Sequence, residues 1–230
     1  MEERSLIRSW ILQSSIFVFA YIPALLWLAG DFSWKAGWLY IAILIAFLAC
    51  HPLLLIPINP ALLAERARGT QTEDTKQWDR ILTMIGPGLM PFLSQVVSAI
   101  DRRFAWTDFP FSVQLIGAVL VVLGYGIFLW AMVINGFFAE GVRIQSERGH
   151  KVCQEGPYQI VRHPGYSGSI MAVIGTPLIL DSIWGLVPAL IAIVFIFIRT
   201  LLEDRSLQSE LDGYGEYTKK VRYRLFPRLF

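Results

Sequence analysis

Cysteine and histidine are scarce in this chain of 230 residues, which has two of the first and three of the second. Cys50 lies inside an apolar run and Cys153 in a polar loop, so they predict neither a disulfide framework nor a thiolate metal site. His51, His150 and His163 are far apart and lack the spacing of metal ligands. We therefore predict that the protein binds no metal ion.

Charge is also scarce. Charged residues make up 17% of the chain, hydrophobic residues make up 55%, and the mean hydropathy is +0.52, well above what a soluble domain carries in water. The net charge of +2 is too small to favour nucleic acid as a partner. The basic residues lie beside apolar runs, where they set topology or touch anionic lipid. The composition predicts an integral membrane protein that contacts membrane lipids.

Several motifs of soluble enzymes are missing. The chain has no Walker-type phosphate loop, no HExxH zinc motif and no Gly-x-Ser-x-Gly nucleophile motif. No alternation of strand and helix patterns supports a Rossmann-type site for a nucleotide or methyl donor. Gly124-Tyr125-Gly126 lies in the middle of an apolar run, so we interpret it as a helix-packing motif.

Long apolar runs predict an all-α architecture. Four of them are each about 20 residues long, the length that crosses a bilayer: residues 10–29, 36–58, 81–100 and 112–134. Gly86, Pro87, Gly88 and Pro91 interrupt the third run, which predicts a kinked helix whose neighbours satisfy its backbone.

A fifth apolar run, residues 166–198, is too long for one pass even with tilt. Asp181, Ser182 and Gly185 break it near the middle. The pattern predicts a tight hairpin of two short helices near residues 166–180 and 184–200, which gives about six membrane helices in all.

The basic residues test this topology, because cytoplasmic loops carry an excess of Lys and Arg. With the N-terminus in the cytoplasm and the hairpin counted as two passes, 17 of the 20 Lys and Arg residues lie inside. Only Lys35, Arg102 and Arg103 lie outside. A single pass at residues 166–198 would carry the basic tail outside, so the count favours the hairpin.

Two polar regions therefore share the cytoplasmic face, the loop of residues 135–162 and the tail from Arg199. We divide the chain into a four-helix membrane region at residues 1–134 and a second unit at residues 135–230. The short segment 60–68, PALLAERAR, predicts an amphipathic helix at the membrane interface.

The stretch EGPYQIVRHPGYSG at residues 155–168 concentrates polar residues at the edge of an apolar run. Pro164 suits the first position of a helix, and free N–H groups of Gly165, Tyr166 and Ser167 would then favour an anion such as a carboxylate. The alternative is a juxtamembrane turn in which Arg162 and His163 contact lipid phosphate.

Arg199 and Glu203 are one helical turn apart at the inner end of the last apolar run. One interpretation is a salt-bridge cluster at the interface with snorkelling side chains. The other is a functional site, because ionisable groups at membrane depth tend to face a cavity. Their spacing alone leaves both open.

Taken together, these motifs resemble a known family. The run GPYQIVRHPGYSG, preceded by HKVC at residues 150–153 and followed by Arg199-x-x-x-Glu203-Asp204, resembles the isoprenylcysteine carboxyl methyltransferase family and its phospholipid N-methyltransferase relatives. The resemblance covers roughly residues 145–228. It implies S-adenosyl-L-methionine as cofactor, in a cytoplasmic pocket built from the loop, the hairpin and the tail, and a lipid-like or prenylated acceptor from the membrane.

The resemblance also implies a set of site residues. The cofactor contacts fall on Gln145, His150, Lys151, Val152, Cys153, Tyr158, His163, Pro164, Gly165, Tyr166 and Glu203. Arg199 takes the role of the arginine that contacts the acceptor, and Arg199 with Glu203 forms the catalytic pair. Members commonly carry two glutamates where this chain has Glu203-Asp204, so the resemblance assigns no role to Asp204.

The chemistry of the donor agrees with these residues. Glu203 suits a cationic group or a ribose hydroxyl, and Tyr158 or Tyr166 suits adenine or the sulfonium cation. A carboxylate acceptor is ionised at neutral pH and needs only Arg199 to hold it, whereas an amine acceptor must lose a proton to Glu203 or His163.

The expected function is methyl transfer, most simply carboxyl O-methylation of a prenylated or lipid-like acceptor. N-methylation of a phospholipid or other amine is the alternative within the same class. A non-catalytic membrane protein that binds lipid or assists assembly is the alternative from another class.

Overall fold

The computed structural model describes residues 2–70 and 74–230, with side chains from residue 4 onward. These ranges contain α-helices and short turns of other helix types, and no strand. The α-helices are α1 Glu2–Ala29, α2 Lys35–Ile58, α3 Pro60–Ala67, α4 Gln77–Thr83, α5 Met90–Phe104, α6 Phe111–Ile134, α7 Pro164–Ile179, α8 Leu186–Glu210 and α9 Tyr214–Lys220.

Five helical segments in the described ranges are long and apolar enough to cross a membrane: Arg4–Ala29, Lys35–Ile58, Gln77–Phe104, Phe111–Ile134 and Leu186–Glu210. Their outer faces expose large apolar side chains such as Phe19, Leu53 and Val194, which suits contact with lipid. The prediction of an all-helical, multi-pass membrane protein is confirmed. The number of spans stays a prediction.

The third span is interrupted where its sequence predicts. A π-helical turn, Met84–Leu89, joins α4 to α5 and contains Pro87, which has no N–H group to donate. A Cβ at Gly86 would lie 2.6 Å from the Cβ of Phe195. The missing side chain therefore lets this turn approach α8 closely.

Helices α6 and α7 pack backbone against backbone through glycines. A Cβ at Gly124 would lie 2.5 Å from the carbonyl oxygen of Gly168, and one at Gly175 would lie 2.7 Å from that of Gly117. Small residues at such positions let membrane helices approach closely. The interpretation of Gly124 as a packing residue is thus confirmed, whereas Gly126 faces open space.

Helices α7 and α8 contact each other and are separated by residues 180–185, at the break that the sequence predicts. Asp181 adopts a left-handed backbone with φ of 58° and accepts a hydrogen bond of 2.7 Å from the Phe109 N–H. The α7 helix has 16 residues, a length of about 24 Å, which is shorter than the five candidate spans.

The α3 helix forms as predicted, and its location at the membrane interface stays a prediction. Leu62 and Leu63 are fully buried, and the charged residues Glu65 and Arg66 are nearly so. The loop after α6 folds over this helix, and Arg143 donates to Glu65 at 2.7 Å. The polar face of α3 is therefore turned toward protein instead of water.

Candidate active site

A cavity of about 510 Å³ lies between the loop after α6, the helices α7 and α8, and the membrane helices. All the site residues expected from the sequence, except Pro164, line this cavity: Gln145, His150, Lys151, Val152, Cys153, Tyr158, His163, Gly165, Tyr166, Arg199 and Glu203. The residues come from three separate segments. The tertiary structure therefore brings them to one place.

The helices α7 and α8 each form one wall of the cavity, with lining residues that recur at helical spacing. On α7 the lining runs along one face from Gly165 to Thr176, a distance of about 16 Å along the helix. On α8, Ile196, Arg199, Glu203 and Leu207 line the cavity. The predicted shared face of Arg199 and Glu203 therefore turns inward and does not form an exposed cluster at the interface.

Glu203 is the carboxylate of the α8 wall with room for a ligand. Its side chain is 22% exposed and accepts a hydrogen bond of 2.5 Å from the Tyr166 hydroxyl. The His163 Nδ1 atom lies 3.9 Å from its other oxygen. One part of the carboxylate is thus oriented by protein while the side chain still faces the cavity.

Arg199 is held by Asp79, a residue that the sequence reasoning missed. The Arg199 Nε atom donates to Asp79 Oδ1 at 2.6 Å and Nη2 donates to Oδ2 at 3.2 Å. The same Nη2 donates to the carbonyl oxygen of Glu140. Asp79 is fully buried and also accepts from the Val142 N–H at 2.7 Å. No local motif marks Asp79, since its partner is 120 residues away in the chain.

Asp204, to which the resemblance assigned no role, is the centre of a closed polar cluster. It is fully buried. Arg162 donates to both of its oxygens at 2.8 Å, Tyr214 donates at 3.0 Å and Arg224 donates at 2.9 Å. His163 Nε2 lies 3.3 Å from Oδ1. These contacts tie the C-terminal tail to the start of α7 and to α8.

Two of the three N–H groups with which the start of α7 was expected to favour an anion have a partner in the protein. The N–H groups of Tyr166 and Ser167 both donate to the carbonyl of His163, at 3.1 and 3.2 Å. Gly165 packs against a ring, because a Cβ there would lie 2.5 Å from Phe138. Local hydrogen bonding therefore occupies the N–H groups of Tyr166 and Ser167 that were expected to bind a carboxylate.

The loop wall is ordered by hydrogen bonds within itself and to the tail. Gln145 is buried and donates to the Phe137 carbonyl at 2.9 Å. The Tyr217 hydroxyl donates to the Tyr158 carbonyl at 2.6 Å, and burial raises the pKa of the Tyr158 hydroxyl. Burial and the neighbouring arginines of the loop lower the pKa of His150 to about 4, so this side chain is neutral at pH 7.

The inner end of the cavity lies among the N-terminal helices, where the sequence offered no motif. Its lining there includes Tyr40 and Phe47 of α2, Tyr125 and Phe128 of α6, and Arg66 of α3. Burial lowers the pKa of Arg66 and the nearby positive charge of Arg199 acts in the same direction. The cavity thus joins a charged end at the loop to a largely aromatic end between membrane helices.

Metal ligands do not gather anywhere in residues 2–70 and 74–230. No group of three or more His, Cys, Asp and Glu side chains comes together there. The carboxylates of the site are instead paired with arginines or with tyrosine hydroxyls.

These features define a class: a multi-pass helical membrane protein whose cavity connects a polar loop to the membrane interior. Residues 113–212 match the family model of phospholipid methyltransferases. The chain is also 31% identical over 112 residues to a "Probable protein-S-isoprenylcysteine O-methyltransferase" of Oryza sativa subsp. indica, which is 47% of this chain and 59% of the relative.

A second relative supports the same assignment. "Protein-S-isoprenylcysteine O-methyltransferase B" of Arabidopsis thaliana is 32% identical over 108 residues, 46% of this chain and 55% of that protein. The chain thus spans somewhat more than half the length of the curated relatives that it matches. The resemblance to the isoprenylcysteine carboxyl methyltransferase family and its phospholipid relatives is confirmed.

Proposed function

We propose that this protein is an integral membrane methyltransferase that transfers a methyl group from S-adenosyl-L-methionine to a lipid-like or prenylated acceptor. The observation that carries the proposal is one cavity lined by Arg199 and by all the residues that the family resemblance assigns to the cofactor except Pro164. The names of the relatives support the same activity.

The donor set of the cavity fits the cofactor. Glu203 offers a partly exposed carboxylate for an ammonium group or a ribose hydroxyl. The rings of His163 and Tyr166, with centroids 5.8 Å apart, offer aromatic surface for adenine or a sulfonium cation. Lys151 is an exposed cation on the lining and suits the donor carboxylate in place of the start of α7.

When bound, S-adenosyl-L-methionine would supply an electrophilic methyl group, and an acceptor that is already a carboxylate would need no base. No proton moves in this reaction. The residues therefore act by positioning and by excluding water. Asp79 fixes Arg199 on the cavity wall, and Tyr166 fixes Glu203.

The proposed topology places the charged end of the cavity at the cytoplasmic face. It is supported by the distribution of Lys and Arg, with 17 of 20 on one side when α7 and α8 are counted as a hairpin. In this proposal residues 135–230 form the methyltransferase core, and the aromatic end of the cavity admits the acceptor from the membrane.

N-methylation of a phospholipid amine is the second candidate, and the match to the phospholipid methyltransferase model favours it. An amine acceptor must lose a proton, and Glu203 or His163 is the candidate base. The pH profile separates the two reactions. The rate on an amine should rise with pH, whereas the rate on a carboxylate should be nearly flat from about pH 6 to pH 8.

The decisive experiment uses the purified full chain in detergent. Binding of S-adenosyl-L-methionine is measured by calorimetry, and labelled donor is then incubated with N-acetyl-S-farnesylcysteine, with phosphatidylethanolamine and with a total lipid extract. We expect donor binding and a product heavier by one methylene group. Absence of donor binding would overturn the proposal and favour a non-catalytic lipid-binding protein.

A further inference from the structure

Arg66 differs from the other buried arginines of the described chain in how its charge is balanced. Arg143, Arg162 and Arg199 each donate to a carboxylate that is itself at least 97% buried, at 2.6 to 2.8 Å. Arg66 is equally buried, with 8% exposure. Its carboxylate partner, Glu140, is 3.4 Å away, and the Glu140 side chain is 37% exposed.

One donor of the Arg66 guanidinium also lacks a partner in the protein. Nη1 donates to the Phe138 carbonyl at 3.2 Å, and Nη2 makes the long contact to Glu140. The Nε atom is the one buried side-chain nitrogen or oxygen in the described residues that lacks a hydrogen-bond partner. A buried donor without a partner costs free energy, and Arg66 lines the cavity.

The Nε atom of Arg199, by contrast, has a partner in the protein. Its Nε and Nη2 atoms already donate to the two oxygens of Asp79. This is the bidentate geometry with which arginine binds carboxylate and phosphate. Of the two arginines that contact Glu140, only Arg66 has an Nε atom without a partner in the protein.

We propose that Arg66 binds the anionic group of the methyl acceptor, a carboxylate or a phosphate, through its Nε atom, which has no partner in the protein. The identity of this anion as the acceptor rests on the proposed methyl transfer. The rings of Phe128 and Phe138 lie 5.7 and 5.6 Å from the guanidinium carbon, so the anion sits where the polar end of the cavity meets its aromatic end. The apolar tail of the acceptor then extends among the membrane helices.

The first test measures binding to the wild-type chain without donor, so that it does not depend on turnover. The probes are N-acetyl-S-farnesylcysteine, its neutral amide and farnesyl phosphate. We expect the acid or the phosphate to bind about 10- to 100-fold more tightly than the amide, the range for hydrogen bonds to a charged group. Preference for the acid indicates a carboxylate, and preference for the phosphate indicates a phosphate headgroup. Equal affinity for all three overturns the proposal.

The second test compares Arg66→Gln and Arg66→Lys with Arg68→Gln, a matched change two residues away on an exposed side chain. Arg66→Gln should abolish the preference for the anion, Arg66→Lys should reduce it, and Arg68→Gln should keep it. Full preference in both Arg66 variants overturns the proposal. If Arg66→Gln fails to fold, Arg66→Lys and the wild-type comparison decide.

Donor binding and turnover are measured in the same samples. If the wild-type chain binds the anionic probe preferentially but does not bind the donor, methyl transfer is refuted and the anion site is supported. If the wild-type chain methylates an acceptor but shows no preference for the anionic probe, the role of Arg66 is refuted and the methyltransferase activity is supported.

Discussion

The closed cluster around Asp204 and the open wall around Glu203 are built from neighbouring carboxylates of one helix. Asp204 is fully buried and receives hydrogen bonds from Arg162, Tyr214 and Arg224. Glu203 receives one from Tyr166 and faces the cavity, with 22% of its side chain exposed. Removing a buried carboxylate whose oxygens are all hydrogen-bonded to protein leaves its partners unpaired and destabilises the fold, whereas a carboxylate that is partly free can bind a ligand.

The largest effect on stability is expected from a substitution that breaks the closed cluster around Asp204. Asp204→Asn leaves Arg162 buried without its anionic partner, which should lower the free energy of unfolding by about 3–5 kcal/mol. The measurement is the folded fraction during titration with a denaturing detergent. Asp212→Asn, at an exposed acid of the same tail, is the control and should change little. Equal stability of the two variants would show that the cluster is not structural.

A change on the open wall should affect binding instead of stability. Glu203→Gln removes the charge that faces the cavity, so the dissociation constant for S-adenosyl-L-methionine should rise about 10- to 100-fold. Calorimetry measures the affinity, and detergent titration should show unfolding close to wild type. Glu216→Gln, at an exposed residue of α9, serves as the control. A large loss of stability without loss of affinity would reverse the assignments of Glu203 and Asp204.

A smaller effect is expected for the group that orients Glu203. Tyr166→Phe removes the hydroxyl that donates at 2.5 Å, and the affinity for the donor should fall about 2- to 10-fold, the range for one hydrogen bond. The same calorimetric measurement applies. Tyr223→Phe, on the exposed side of the tail, is the control and should leave the affinity unchanged. An unchanged affinity in Tyr166→Phe would show that Glu203 does not need this hydroxyl for its orientation.

The smallest effect concerns His150 on the loop wall. Because burial lowers its pKa in the folded chain from 6.5 to about 4, the unfolded chain binds more protons between these values. This residue's contribution to stability is therefore complete above pH 6.5 and is lost as the pH falls toward 4. The loss of stability between pH 7 and pH 5 should be smaller in His150→Gln than in wild type when both are measured by detergent titration. An identical loss would contradict the lowered pKa.

The sequence predicted much of the fold because hydropathy and helix breakers act locally. The apolar runs became helices, the glycines and prolines at residues 86–91 became an interruption, and the break after α7 lies at residues 180–185. Where neighbours at a distance decide, prediction failed. The charged residues of α3 look as if they face water until the loop of residues 135–150 covers them, and no local motif marks Asp79 as the partner of Arg199.

By itself, the sequence determined that this is a helical membrane protein and that the methyltransferase-like motifs lie in its C-terminal half. These features are carried by runs and short motifs, which need no partner elsewhere in the chain. Only the tertiary structure decided which charged groups are fully paired within the protein and which face the cavity. Asp79 meets Arg199 across 120 residues, and Glu65 meets Arg143 across 78. Arg66 stands out because the other buried arginines of the described chain pair with buried carboxylates, whereas its partner Glu140 is partly exposed.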